Sequence, residues 1–124
     1  MVEVLKVGQL QERKLGTRCC APDVRGRLSP QEAQQLSDDL ELLGHPVRLQ
    51  LLDVLTSHAG QVCVCDLEAA VPVKQPTISH HLKLLREAGL VDFERHGLWA
   101  YYFVRREALA DLCARITQRL QSLG

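Results

Sequence analysis

The stretch Lys74-Gln75-Pro76-Thr77-Ile78-Ser79-His80-His81-Leu82-Lys83-Leu84-Leu85-Arg86-Glu87-Ala88-Gly89-Leu90-Val91 decides the fold. Ile78, Leu82 and Leu85 recur at helical spacing and Gly89 stops the pattern, so a helix is expected from about Gln75 to Ala88. At about 100° per residue, Ser79, His80, Lys83 and Glu87 fall opposite Ile78 and form a polar, exposed face. On the C-terminal side, Leu90 to Glu94 and Leu98 to Val104 are rich in Val, Phe, Trp and Tyr. With Arg95-His96-Gly97 as a tight turn they read as a β-hairpin. Glu107 to Leu123 then carries Leu109, Leu112, Cys113, Ile116, Leu120 and Leu123 as one apolar helical stripe, in which Cys113 reads as core or dimer packing.

On the N-terminal side, Asp66 is positioned to cap a short helix, Leu67 to Ala70. Before it, Val62-Cys63-Val64-Cys65 alternates with period two, which predicts a short strand with both cysteines on one face. Two further helices precede this strand. One enters through the capping box Ser29-Pro30-Gln31-Glu32 and runs to Leu43. The other restarts at Pro46 with apolar residues too dense for a surface helix. Short helix, turn, longer helix and basic-tipped hairpin together make a winged helix-turn-helix, a mainly α fold with a β-hairpin wing (α+β). The expected divisions are an N-terminal arm over 1–28, the winged core over 29–106 and a C-terminal dimerisation helix over 107–124, within one domain.

A formal net charge of +0 conceals segregation. Leu28 to Ala70 holds seven acids against Arg48 alone, a net of −6, and should not face phosphate, whereas Lys74 to Arg106 and residues 1–27 each sum to +3. A helix enters the major groove with its N-terminal residues nearest the base edges. Here these are Gln75, Thr77, Ser79 and His80, hydrogen-bonding groups suited to bases, with Lys83 and Arg86 where phosphates would pass. Arg95 and His96 at the hairpin tip can reach backbone or minor groove. Joint ligation of one ion by His80 and His81 is disfavoured because adjacent helical positions diverge by about 100°; His81 can instead border the core. No apolar run long enough for a membrane span and no secretory pattern occurs at the start, so a cytoplasmic chain with no membrane partner is expected. No glycine-rich phosphate loop and no nucleophile with an adjacent base point to an enzyme.

Several blocks taken together resemble the ArsR/SmtB family of metal-sensing bacterial repressors. The stretch from Lys74 to Val91 is similar to its recognition-helix signature, and His45-Pro46-Val47-Arg48 to its Asp-Pro-x-Arg helix start. Val62-Cys63-Val64-Cys65-Asp66-Leu67 resembles its Cys-Val-Cys-Asp-Leu sensing motif, and Gly97-Leu98-Trp99-Ala100-Tyr101-Tyr102 its wing strand. The resemblance covers about residues 29 to 123. It implies a homodimeric winged-helix repressor that leaves double-stranded operator DNA when a metal or metalloid binds. This chain departs from the pattern at His45, where aspartate is usual, and at Lys74, where a serine caps the recognition helix. Lysine is a poor cap at a positive helix end, so altered operator preference is expected there. The last helix lacks the paired ligands of zinc-sensing relatives, keeping only Asp111, so no zinc site is expected in it.

The odd count of five cysteines argues for thiol chemistry over a disulfide framework. Thiolates select soft or thiophilic ions, and the dipole of a following helix favours the thiolate of Cys63 and Cys65. Glu68 stands where the familiar arsenic pattern has a third cysteine. By the resemblance, the remaining sulfur would come from Cys19-Cys20 in the N-terminal arm, in some members across the dimer. Arsenic(III) or antimony(III) on three sulfurs is the favoured inducer; cadmium(II) or lead(II) on all four, Cys19, Cys20, Cys63 and Cys65, is the alternative. A thiol redox-sensing repressor, in which the same cysteines close a disulfide, is a further alternative, and a constitutive DNA-binding protein with idle cysteines is the plainest.

Overall fold

The computed structural model describes residues 15–16, 24–58, 60 and 62–124, among which five helices and three strands follow one another in the expected order. They are α1 (Pro30–Leu43), α2 (Pro46–Thr56), β1 (Val62–Cys63), α3 (Val64–Ala70), α4 (Gln75–Glu87), β2 (Val91–His96), β3 (Trp99–Val104) and α5 (Arg106–Gln121). The winged helix-turn-helix is thus the observed architecture. Among the described residues no helix is long and apolar enough to cross a membrane.

The start of α1 forms as its sequence dictates: Ser29 Oγ accepts the Glu32 amide at 3.1 Å and Glu32 accepts the Ser29 amide at 2.9 Å. At α2, the histidine that replaces the usual aspartate is itself a cap, with His45 Nδ1 accepting the Val47 amide at 3.1 Å. Leu51, Leu55, Leu67, Ile78, Leu82, Leu85, Val71 and Val91 form the fully buried centre of the core, drawing on α2, α3, α4 and the root of the hairpin. The helix α5 packs on α1 through Leu112 and Ile116 and through polar clamps. Arg115 Nε and Nη2 donate to the two carboxylate oxygens of buried Asp39 at 2.9 and 3.1 Å, and Arg119 pairs with Glu32 at 2.8 Å. The Arg115 hydrogen bonds hold the Asp39 carboxyl below its usual range despite burial.

Three sequence expectations are corrected. The strand predicted over Val62 to Cys65 stops after two residues and Val64 already begins α3, so Asp66 is not the cap but the third residue of the helix. Its carboxylate accepts the Cys63 amide at 3.0 Å, which fixes Cys63 as the last extended residue and turns the chain into the helix one step later. The hairpin turn is Gly97-Leu98, not Arg95-His96-Gly97, because Gly97 takes the positive φ of 67° that a two-residue turn demands; Arg95 and His96 therefore lie on β2. Cys113 is exposed on α5, so it is not a core residue in the single chain. A feature absent from the expectations is that β1 joins the hairpin. The sheet order is β1-β3-β2, antiparallel throughout, with Cys63 opposite Tyr101 and Val62 opposite Tyr102.

Candidate metal centre and nucleic-acid interface

Cys63 is the N-cap of α3, with extended backbone, and Cys65 is its second helical residue. The sulfurs converge because the pair straddles a strand–helix junction, not because both lie on a strand. With Cα atoms 5.4 Å apart the two sulfurs stand at disulfide-bonding distance, so it is reduction that frees them for an ion. A carboxylate oxygen of Asp66 joins them, so that the three ligand-capable atoms lie within 4.8 Å of one another. Cys63 is half-buried, whereas Cys65 and Asp66 are exposed, which leaves the outer side of the cluster open to further donors. Two adjoining sulfurs with an oxygen fit a thiophilic ion better than a hard one. Cys19 and Cys20 lie outside the described residues. The sequence offers Asp66 only as a cap. Its place one residue after the second cysteine is the signal that it also borders the thiols.

The side chains assigned to the nucleic-acid face mostly stand clear. Gln75, Thr77, His80, Lys83 and Arg86 are exposed on α4 and Ser79 is half-buried, with Gln75 Nε2 donating to Ser79 Oγ at 3.2 Å. As expected from Lys74, no side-chain hydrogen bond caps this helix; the Lys74 carbonyl accepts the amides of Thr77 and Ile78. Phe93 binds the helix to the wing in a way the sequence did not disclose. The Arg86 guanidinium lies 4.7 Å from the centre of its ring and that of Arg95 5.8 Å, so α4 and β2 present two cations on one aromatic side chain. His96 is not part of that group. Strand alternation turns it to the other face of the hairpin, where it lies 3.3 Å from Glu94 and packs against Tyr101.

Behind the interface is an anchor that sequence reading missed. Arg48 is buried, 8% exposed, and its Nε and Nη2 donate to the carbonyls of Leu42 and Glu41 at 2.7 and 2.9 Å, satisfying the end of α1. Its Nη1 lies 3.1 Å from His81 Nδ1. Because a guanidinium can only donate, Nδ1 is the acceptor and the His81 proton sits on Nε2. Burial first, then the neighbouring His45, Arg48 and His80, push the His81 pKa below its ordinary 6.5. His81, 6% exposed on the inner side of α4, therefore positions the reading face and does not belong to it.

Against known proteins, residues 45–92 match the family model described as "Bacterial regulatory protein, arsR family". The chain is 39% identical over 87 residues to a putative arsenical resistance operon repressor, ArsR2, of Halobacterium salinarum, covering 68% of this chain and 69% of that one. It is 28% identical over 88 residues to the cadmium resistance transcriptional regulatory protein CadC of Listeria innocua, covering 71% and 73%. A crystal structure of a possible transcriptional regulator for arsenical resistance superposes with a TM-score of 0.59 at 38% identity, over 65% of this chain and 82% of that one.

Proposed function

Since the chain belongs to the ArsR/SmtB family of helix-turn-helix transcriptional regulators, which are DNA-binding proteins and not enzymes, we propose that it is a homodimeric repressor that releases operator DNA when arsenic(III) or antimony(III) binds its thiolates. The observation that carries this reading is the convergence of the Cys63 and Cys65 sulfurs at the first turn of α3, the helix immediately before the recognition helix. Cys19 and Cys20 of the arm over 1–28 supply the remaining sulfur. Gln75, Thr77, Ser79 and His80 read base edges, Lys83 and Arg86 hold phosphates, and Arg95 and His96, from opposite faces of the wing, reach backbone or minor groove. The core over 29–106 reads DNA, and the helix over 107–124 pairs the two copies, a role supported by Leu40 on α1, Leu120 on α5 and Leu123 just beyond it, all left exposed in the single chain.

The coupling in this reading runs through α3. The Cys63 amide is tied to Asp66, and α3 packs on α4. Drawing both sulfurs toward an ion and toward the arm reshapes that first turn and so alters how α3 seats α4. DNA and inducer then disfavour each other by the same factor, typically about 1–3 kcal/mol. The test is anisotropy of a labelled duplex, selected by the chain itself from a random pool, at fixed salt and with reduced protein. Stoichiometric arsenite and antimonite are expected to release it while zinc and diamide do not, and Cys63→Ser is expected to bind DNA but ignore both. Release by cadmium or lead alone would move the site to four sulfurs, in line with the cadmium resistance relative. Release by diamide without metal would make the chain a redox sensor, and release by nothing would leave a constitutive DNA-binding protein.

A further inference from the structure

The wing ends in an apolar tip that the fold does not use. Gly97 is required by the turn, with its φ of 67°. Nothing comparable is demanded of the next position, where polar residues are usual, yet it holds Leu98, 90% exposed, followed by Trp99, 57% exposed. Neither belongs to the core cluster. An isolated apolar residue on a surface needs no explanation, but two in succession at the outermost point of a projecting hairpin form a small apolar head, with Arg95 beside it on one face and the exposed His96–Glu94 pair on the other. On the Arg95 face a basic line runs back to the recognition helix through Phe93 and Arg86. From Val91 in the core to His96 the strand advances roughly 17 Å, so the tip projects well beyond the point where β2 leaves α4.

That combination suits one partner in particular. In a minor groove, cations offset the phosphates on either wall while an apolar side chain enters between base steps, at a cost that depends on how readily the step unstacks. We propose that Leu98, with Trp99 behind it, is a minor-groove wedge that bends the bound duplex, so that the operator is chosen partly by its deformability beside the bases read by α4. The inference rests on the DNA-binding reading given above, and Arg95 is its electrostatic support.

The chain has a single tryptophan, which makes its own probe. The experiment uses the whole chain of 124 residues and a duplex that it has selected from a random pool, end-labelled for energy transfer. Wild-type protein is expected to shorten the end-to-end distance and to shift Trp99 emission on binding. Leu98→Ser is expected to lose most of the bend and roughly tenfold in affinity, and Leu98→Met to keep both. An unchanged thermal melt shows that Leu98→Ser is folded, as its exposed position leads one to expect. If Leu98→Ser binds and bends the selected duplex as wild type does, or if Trp99 emission ignores DNA, the wedge is refuted while the DNA-binding reading stands. Failure of the wild-type chain to select any duplex overturns both. A change in Trp99 emission with protein concentration in the absence of DNA would seat a second copy on the tip and also refute the wedge.

Discussion

The helices α3 and α4 are successive members of one motif, but different means hold them in place. The helix α4, the reader in the proposed function, has 13 residues with Ile78, Leu82 and Leu85 wholly buried, and it is pinned from beneath by the Arg48–His81 hydrogen bond. The helix α3, the proposed sensor, has seven residues, of which only Leu67 is buried, and its first turn depends on one exposed bond between Asp66 and the Cys63 amide. Local stability follows buried apolar contact and protected hydrogen bonding, so the two should open at different free energies. In the function proposed above, the weakly held element is the one that responds to a ligand and the strongly held one is the one that keeps its shape against DNA.

That contrast can be broken at either end. The largest effect should come from Arg48→Ala, which strips a hydrogen bond from each of the Leu42 and Glu41 carbonyls and from His81 at once. A loss of about 3 kcal/mol is expected in urea unfolding, together with weaker DNA binding. Arg48→Lys should recover little of this, because an ammonium cannot span the three acceptors in the guanidinium's fork geometry. On the sensor side, Asp66→Ala should cost about 1 kcal/mol globally. Its sharper signature would be local: amide exchange should accelerate in α3 and leave Leu82 and Leu85 of α4 as protected as before. Equal acceleration in both helices would erase the contrast.

A pH titration sharpens it further. The folded-state pKa of His81 lies below its ordinary 6.5, so the unfolded chain binds the extra proton first. The contribution of His81 to stability is therefore complete above about pH 6.5 and is lost as pH falls from there through the lowered folded value. His81→Gln, which keeps an acceptor for Arg48, should flatten the stability profile in that window. The smallest effect concerns the cap of α2. His45→Asp should leave stability within a few tenths of a kcal/mol, since both side chains can accept the Val47 amide, while His45→Ala should cost about 1 kcal/mol.

Much of this molecule is legible in its sequence. The capping box at Ser29 and Glu32, the stripe of Ile78, Leu82 and Leu85, and the hairpin were all readable because each depends on residues close in the chain. The junction at Cys63 and Val64 was not. A Val-Cys-Val-Cys alternation satisfies a strand equally well, and only the reach of Asp66 back to the Cys63 amide decides where the helix begins. Arg48 escaped for the opposite reason. It reads as a lone base among acids, and its three acceptors come from α1 and α4, elements that only the folded chain brings to it. Cys113 shared the periodicity of Leu112 and Ile116 but sits at the edge of the stripe, where a helix angle alone cannot separate a core position from an exposed one. The shift of the turn to Gly97-Leu98 has a simpler origin: the positive φ belongs to the glycine, and sequence alone left open on which side of it the reversal would fall.

The sheet order has a consequence for how such a chain can change over generations. β3 is the middle strand, hydrogen-bonded on one side to the strand that ends in Cys63 and on the other to the outer strand of the hairpin. A substitution at Tyr101 or Tyr102 is thus judged twice, once by each neighbour, whereas β1 and β2 each answer to a single partner. Drift should therefore be slowest along β3 and freer on the flanking strands, one of which ends at the cysteine pair and the other at the tip of the wing.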